Sequence, residues 1–135
     1  MKSAFHEAVY YYAPAPKVMP QPLKLLLAQL GMRFHIIDPG QTGQLLGYLV
    51  GMEGFAPQPE GTPAPVVPEE VLLLKNFAGP GIDALLSGMR RAGVPPIPLK
   101  AVVTEHNIGW TFAALAEELR QENEAMTRRA QEQQK

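Results

Sequence analysis

The chain has 135 residues, 46% apolar and 19% charged, with 12 basic against 13 acidic side chains for a formal charge of −1. A composition of this kind suits one globular domain that buries a core without disulfide or metal staples. The balanced charge argues against general binding to a nucleic-acid backbone, and the lack of cysteine excludes disulfides, thiolate nucleophiles and zinc–cysteine centres. No apolar run of signal-peptide length opens the chain, and no window approaches the ~18 apolar residues that span a bilayer. The expectation is a soluble cytoplasmic protein with no membrane partner.

Val9–Tyr12 is β-branched and aromatic and predicts a short strand. Pro14, Pro16, Pro20 and Pro22 break regular structure, although Pro22 suits the start of a helix. Leu23, Leu26, Leu27 and Leu30 follow at helical spacing up to Gly31, a natural stop. Residues 33–38, RFHIID, predict a second strand that ends in the turn signal Asp38-Pro39-Gly40. From Thr42, TGQLLGYLVGM predicts a threonine-capped helix with Leu45, Leu46, Leu49 and Val50 inward. Residues 54–68 hold five prolines and two glycines and predict a linker or a long extended loop.

The next stretch, EVLLLKNF, is the clearest strand signal. Its uninterrupted centre Val71–Leu74 predicts a strand covered on both faces. Ile82, Leu85, Leu86 and Met89 then share a helical face that Gly93 closes. Leu99–Val103 predicts a fourth strand leading into the polar turn Thr104-Glu105-His106-Asn107. With Thr111 as N-cap, Trp110 and Leu115 fall at the positions of a hydrophobic staple, and Phe112, Leu115, Ala116 and Leu119 face the core. Beyond Leu119 the apolar pattern fades, and residues 126–135 are expected to fray as a polar tail.

The order β-α-β-α thus occurs twice in one domain, over residues 1–53 and 69–125, joined by the proline-rich 54–68. Gly31 matches Gly93, Ile36-Ile37-Asp38 matches Val102-Val103-Thr104, and Thr42 matches Thr111, a pattern expected of an internal duplication. The predicted fold class is α/β, with two β-α-β-α units forming one mainly parallel sheet flanked by helices. Ligands of such sheets lie beyond the carboxyl ends of the strands. The candidate binding residues are therefore Asp38, Thr42, Lys75, Asn76, Thr104 and Asn107, with the turns of the two halves expected side by side.

Other chemistry finds little support. No pair among His6, His35 and His106 has metal-ligand spacing on one helix, and the expected role of His35 is a partly buried, hydrogen-bonded strand residue. Neither phosphate-cradling glycine motif is present, and Ser3 and Ser87, the only serines, lack a nucleophile elbow.

The second half, with Lys75-Asn76-Phe77 at a strand end, PLKAV at 98–102 and Thr104…Asn107…Trp110-Thr111 leading into a helix, resembles a small bacterial domain family of unknown function. That family is catalogued among the PD-(D/E)XK phosphodiesterases, and the resemblance spans about residues 69–125. It implies carboxylates holding Mg or Mn beside a lysine that orients water. Here the groups for that role would be Asp38, Glu70, Lys75 and Lys100. The chain departs from the pattern: Asp38-Pro39 has its first pair reversed, Glu70 and Lys75 are five apart rather than two, and Pro98 stands where an acid would precede Lys100. The leading expectation is a non-catalytic domain that binds a small molecule or protein partner without a cofactor. A divergent metal-dependent phosphodiesterase and a homo-oligomeric structural module are the alternatives.

Overall fold

Two neighbouring strands bury side chains on both of their faces, and this requires cover on each side of the sheet. They are β1 (Ala8–Tyr12) and β3 (Val71–Lys75). Val9, Tyr11, Leu72 and Leu74 enter one core, while Ala8, Tyr10, Tyr12, Val71 and Leu73 enter the other, following the two-residue period of a strand. The structure, a computed structural model, describes residues 7–14 and 19–133; Ser3, His6 and Pro16 lie outside the described residues.

β2 (Arg33–Ile37) runs parallel to β1, and β4 (Leu99–Val102) runs parallel to β3, giving the order β2-β1-β3-β4. The central pairing is antiparallel, with Ala8 opposite Lys75 and Tyr12 opposite Val71. The fold is therefore mixed α/β, with a mostly parallel sheet and one antiparallel seam. Helices α1 (Gln21–Leu30) and α3 (Gly79–Ala92) cover one face, and α2 (Leu46–Leu49) and α4 (Phe112–Gln133) the other. Both helices of the first face stop where expected. Gly31 and Gly93 take φ of +72° and +76°, a conformation that carries no Cβ penalty in glycine.

The helix expected from Thr42 is much shorter. Pro39–Gln41 form a single 3-10 turn, and α2 has four residues before Gly51, at φ +75°, ends it. Backbone pairing with the second half takes the place of the missing turns: Leu46 N–H donates to Trp110 O at 2.8 Å, and Phe112 N–H to Gln44 O at 3.0 Å, around a bridge between Leu45 and Thr111. Thr42 is not a cap. It is fully buried and donates through Oγ1 to Pro65 O at 2.6 Å, while its carbonyl accepts Ala113 N–H at 2.9 Å. Thr111 does cap α4, accepting Ala114 N–H at 3.1 Å. Its partner across the seam, and its structural counterpart, is Leu45 rather than Thr42.

Residues 54–68 form an extended strap packed on the second face. Tyr12 Oη donates to Val67 O at 2.9 Å, Gln58 N–H to Gln44 Oε1 at 2.8 Å, and the Phe55 ring lies so close to Gly47 that a Cβ there would sit 2.4 Å from it. α4 remains helical through Gln133, past the end of its apolar pattern at Leu119.

The two outer strands differ in how their open edges are defended. β4 carries Lys100 and follows Pro95, Pro96 and Pro98, residues that discourage further pairing. β2 has no lysine or proline and leaves Phe34 38% and Ile36 52% exposed.

Candidate functional site

The antiparallel seam sends the strand ends of the two halves to opposite ends of the sheet. Asp38 follows Ile37, which is level with Tyr12 and, through it, with Val71. Lys75 lies at the other end of β3, about 13 Å along the strand. Asp38 and Thr42 thus do not join Lys75, Asn76 and Thr104, and the side-by-side turns expected from the sequence do not form. Asp38 is exposed, its N–H bound to Gln41 Oε1 at 2.9 Å, and buried Thr42 holds the strap.

Lys75, Asn76 and Thr104 do come together. With Glu105 they form the polar side of a hollow of about 300 Å³ whose other walls are Val50, Met52, Val103 and Ile108. Each polar group has a local reason for its place. Lys75 ends β3, and its Nζ donates to Val50 O at 2.7 Å, which uses one of three ammonium donors and fixes the charge at the hollow. Asn76 turns the chain at φ +64°, the sole positive φ outside glycine among the described residues, and asparagine tolerates this region better than most. Asn107 braces the turn from behind: its Oδ1 accepts Thr104 N–H at 2.9 Å and its Nδ2 donates to Val102 O at 3.1 Å. Buried, with both ends of its amide bonded to backbone, it belongs to the frame of the turn. Val103 N–H donates to Leu74 O at 2.8 Å, which keeps this turn against the end of β3. His106 is exposed and meets Trp110 edge-on, ring centres 5.2 Å apart.

Val50 also borders a second hollow, of about 410 Å³, whose other walls include Tyr10, His35, Gln41 and Tyr48. Here His35 departs from expectation. It is exposed and stacks on Tyr10, ring centres 4.9 Å apart, without burial in a core. The Tyr10 hydroxyl donates to Val50 O at 3.4 Å, and burial raises its pKa, partly offset by Arg33. Val50 and Met52 of the first half thus wall a hollow whose polar groups belong to the second.

The four groups of the hydrolytic alternative are spread over the molecule. Asp38 and Glu70 lie at one end of the sheet, separated by the width of β1, and Lys75 lies at the other end. Glu70 accepts the hydroxyl of buried Tyr11, whose pKa rises through burial first and this bond second. Lys100 donates to Ile97 O at 2.9 Å and borders a small apolar recess with Ile82 and Leu86. Among the described residues no three His, Asp or Glu side chains are grouped as metal ligands, and no helix is long and apolar enough to cross a membrane. One ion pair is structural: Arg120 of α4 grips Glu69, just before β3, with Nη2–Oε1 at 2.8 Å, and this guanidinium holds the Glu69 carboxyl below its usual pKa.

A family match falls on the half that supplies the polar groups. Residues 70–126 match the family model described as a domain of unknown function (DUF3783). The match begins one residue before β3 and extends into α4, so it takes in Lys75, Asn76, Thr104 and Asn107 but neither Asp38 nor Val50. No curated protein and no solved structure matches the chain.

Proposed function

We propose that the protein is a non-catalytic binding domain whose ligand occupies the hollow at the ends of β3 and β4. The observation that carries this reading is the anchored Lys75 ammonium at the polar side of an otherwise apolar recess. A ligand with an acidic group on Lys75 and an apolar body against Val50, Val103 and Ile108 satisfies both surfaces at once. Asp38 and Thr42 have no part in it. The two halves are read as copies of one β-α-β-α unit, supported by the matching brace of each turn, Asp38 N–H to Gln41 and Thr104 N–H to Asn107. Calorimetric titration of the full chain with short branched carboxylates tests the reading. Lys75→Met should weaken binding at least tenfold and Lys75→Arg should restore part of it. Undiminished binding by folded Lys75→Met would reject the site.

A second reading, a homo-oligomer, is favoured by one observation, the exposed Phe34 and Ile36 on the edge strand β2. Antiparallel pairing of two β2 strands about His35 sets Phe34 of one copy opposite Ile36 of the other, on one face. Light scattering should then find dimers that Ile36→Lys disperses, and a wild-type chain that stays monomeric at high concentration eliminates it.

A further inference from the structure

Resting on the reading that the β3/β4 hollow binds a ligand, we infer that its ligand class is the apolar α-amino acid, recognised as a zwitterion. Two opposite charges border this one hollow, Lys75 and Glu105. Among the described residues neither forms an ion pair, with the other or with any third group. The fold, and not an opposite charge, places the backbone that carries each of them. Lys75 is tied to Val50 O, and Glu105 follows Thr104, whose N–H is bound to buried Asn107. An attraction left unsatisfied across a recess is satisfied by a molecule that carries both signs at one end.

The remaining walls define the rest of that molecule. Val50, Met52, Val103 and Ile108 offer hydrocarbon and no charge, so the third substituent is aliphatic or thioether rather than polar. A volume of about 300 Å³ is at the lower limit for small-molecule sites and suits a ligand of amino-acid size. Glu105 also discriminates by repulsion. A phosphate or dicarboxylate drawn to Lys75 would bring a second negative charge towards this carboxylate, and like charges in one site oppose each other. A single cation opposed by a single anion selects a ligand with no net charge.

The test is calorimetry on the full chain with leucine and methionine, 4-methylpentanoate, which lacks the ammonium, and 3-methylbutylamine, which lacks the carboxylate. Leucine should bind at least tenfold more tightly than either truncated analogue. Glu105→Gln, at an exposed turn position, should abolish the advantage of leucine over 4-methylpentanoate and leave the affinity for 4-methylpentanoate unchanged or improved. Folded Lys75→Met should lose leucine and 4-methylpentanoate together. Equal binding of leucine and 4-methylpentanoate by the wild type, unaffected by Glu105→Gln, overturns the amino-acid assignment and leaves the Lys75 site standing. Failure of all four probes to bind the wild type overturns the assignment and the site reading together.

Discussion

Replacing Asn107 by alanine should be among the costliest polar substitutions in the molecule, and its counterpart in the other half supplies the control. Asn107 is 8% exposed and makes two bonds to backbone, one from Thr104 N–H at 2.9 Å and one to Val102 O at 3.1 Å. Alanine leaves a partly buried donor and acceptor without protein partners, at about 1–1.5 kcal/mol each, so the loss is about 2–3 kcal/mol. For a domain of this size that corresponds to a fall in Tm of roughly 6–12 °C. Gln41 makes the same bond in the first half, accepting Asp38 N–H at 2.9 Å, but the bond is exposed and water replaces it. Gln41→Ala should therefore cost no more than about 0.5 kcal/mol. Urea denaturation followed by circular dichroism and Trp110 fluorescence measures both variants. Equal losses, or a neutral Asn107→Ala, would refute the argument that burial gives one of two matching braces its value.

A second pair of matched positions tests the strap. A Cβ on Gly43 would lie 2.2 Å from the Pro63 carbonyl oxygen, whereas one on Gly109 would meet nothing within 4 Å. Since backbone cannot swing aside as a side chain can, Gly43→Ala should destabilise by about 1–3 kcal/mol and speed proteolysis within 54–68, while Gly109→Ala does neither. Limited proteolysis with mass spectrometry distinguishes them, and equal cleavage of the two variants sinks the packing claim. The Glu69–Arg120 pair predicts a pH dependence. The folded pKa of Glu69 is depressed, so its stabilisation is complete above the unfolded value of about 4.3 and is lost as pH falls through the folded value. Glu69→Gln should cost about 1 kcal/mol at pH 7, given the partial exposure of both side chains, and the gap to wild type should close in acid. A gap that stays constant down to low pH would show that the charge contributes nothing.

Local signals in the sequence were read correctly where the structure depends on local physics. Gly31 and Gly93 end helices because each must adopt positive φ, Thr111 caps α4 with its own hydroxyl, and the Val71–Leu74 run is buried on both faces. Parallel pairing within each half follows from the helix that joins the two strands. The relation between halves has no such rule. The strap of residues 54–68 contains no helix and could return the chain to either end of the sheet, and its return beside Tyr12 makes the seam antiparallel. This one global choice decides which candidate residues meet. Lys75, Asn76 and Thr104 lie within one half and were legible together, whereas Asp38 was parted from them. Thr42 was misread for a related reason: a threonine before an apolar run signals a cap, and nothing local reveals that its hydroxyl binds Pro65 O.

The hollow exists because the halves are alike in framework and unlike in cover. Tyr12 ends β1 as Lys75 ends β3, and each terminal side chain donates to a carbonyl of a segment lying over the sheet, Val67 O for Tyr12 and Val50 O for Lys75. Over Tyr12 the cover is complete: the strap supplies Val67, Thr42 fastens it to Pro65, Phe112 of α4 packs at 4.9 Å from the tyrosine ring, and the hydroxyl is buried. Over Lys75 the cover stops short, because α2 ends after four residues at Gly51. A tyrosine fills the closed end with its own ring, whereas the lysine at the open end keeps an ammonium that its single carbonyl partner does not saturate. The two halves therefore produce core at one end of the sheet and a charged recess at the other, and the position to alter is the helix stop. Gly51→Ala would place an L-residue at φ +75°, and the resulting strain penalises the stop that keeps the hollow open, favouring continuation of α2 over the recess.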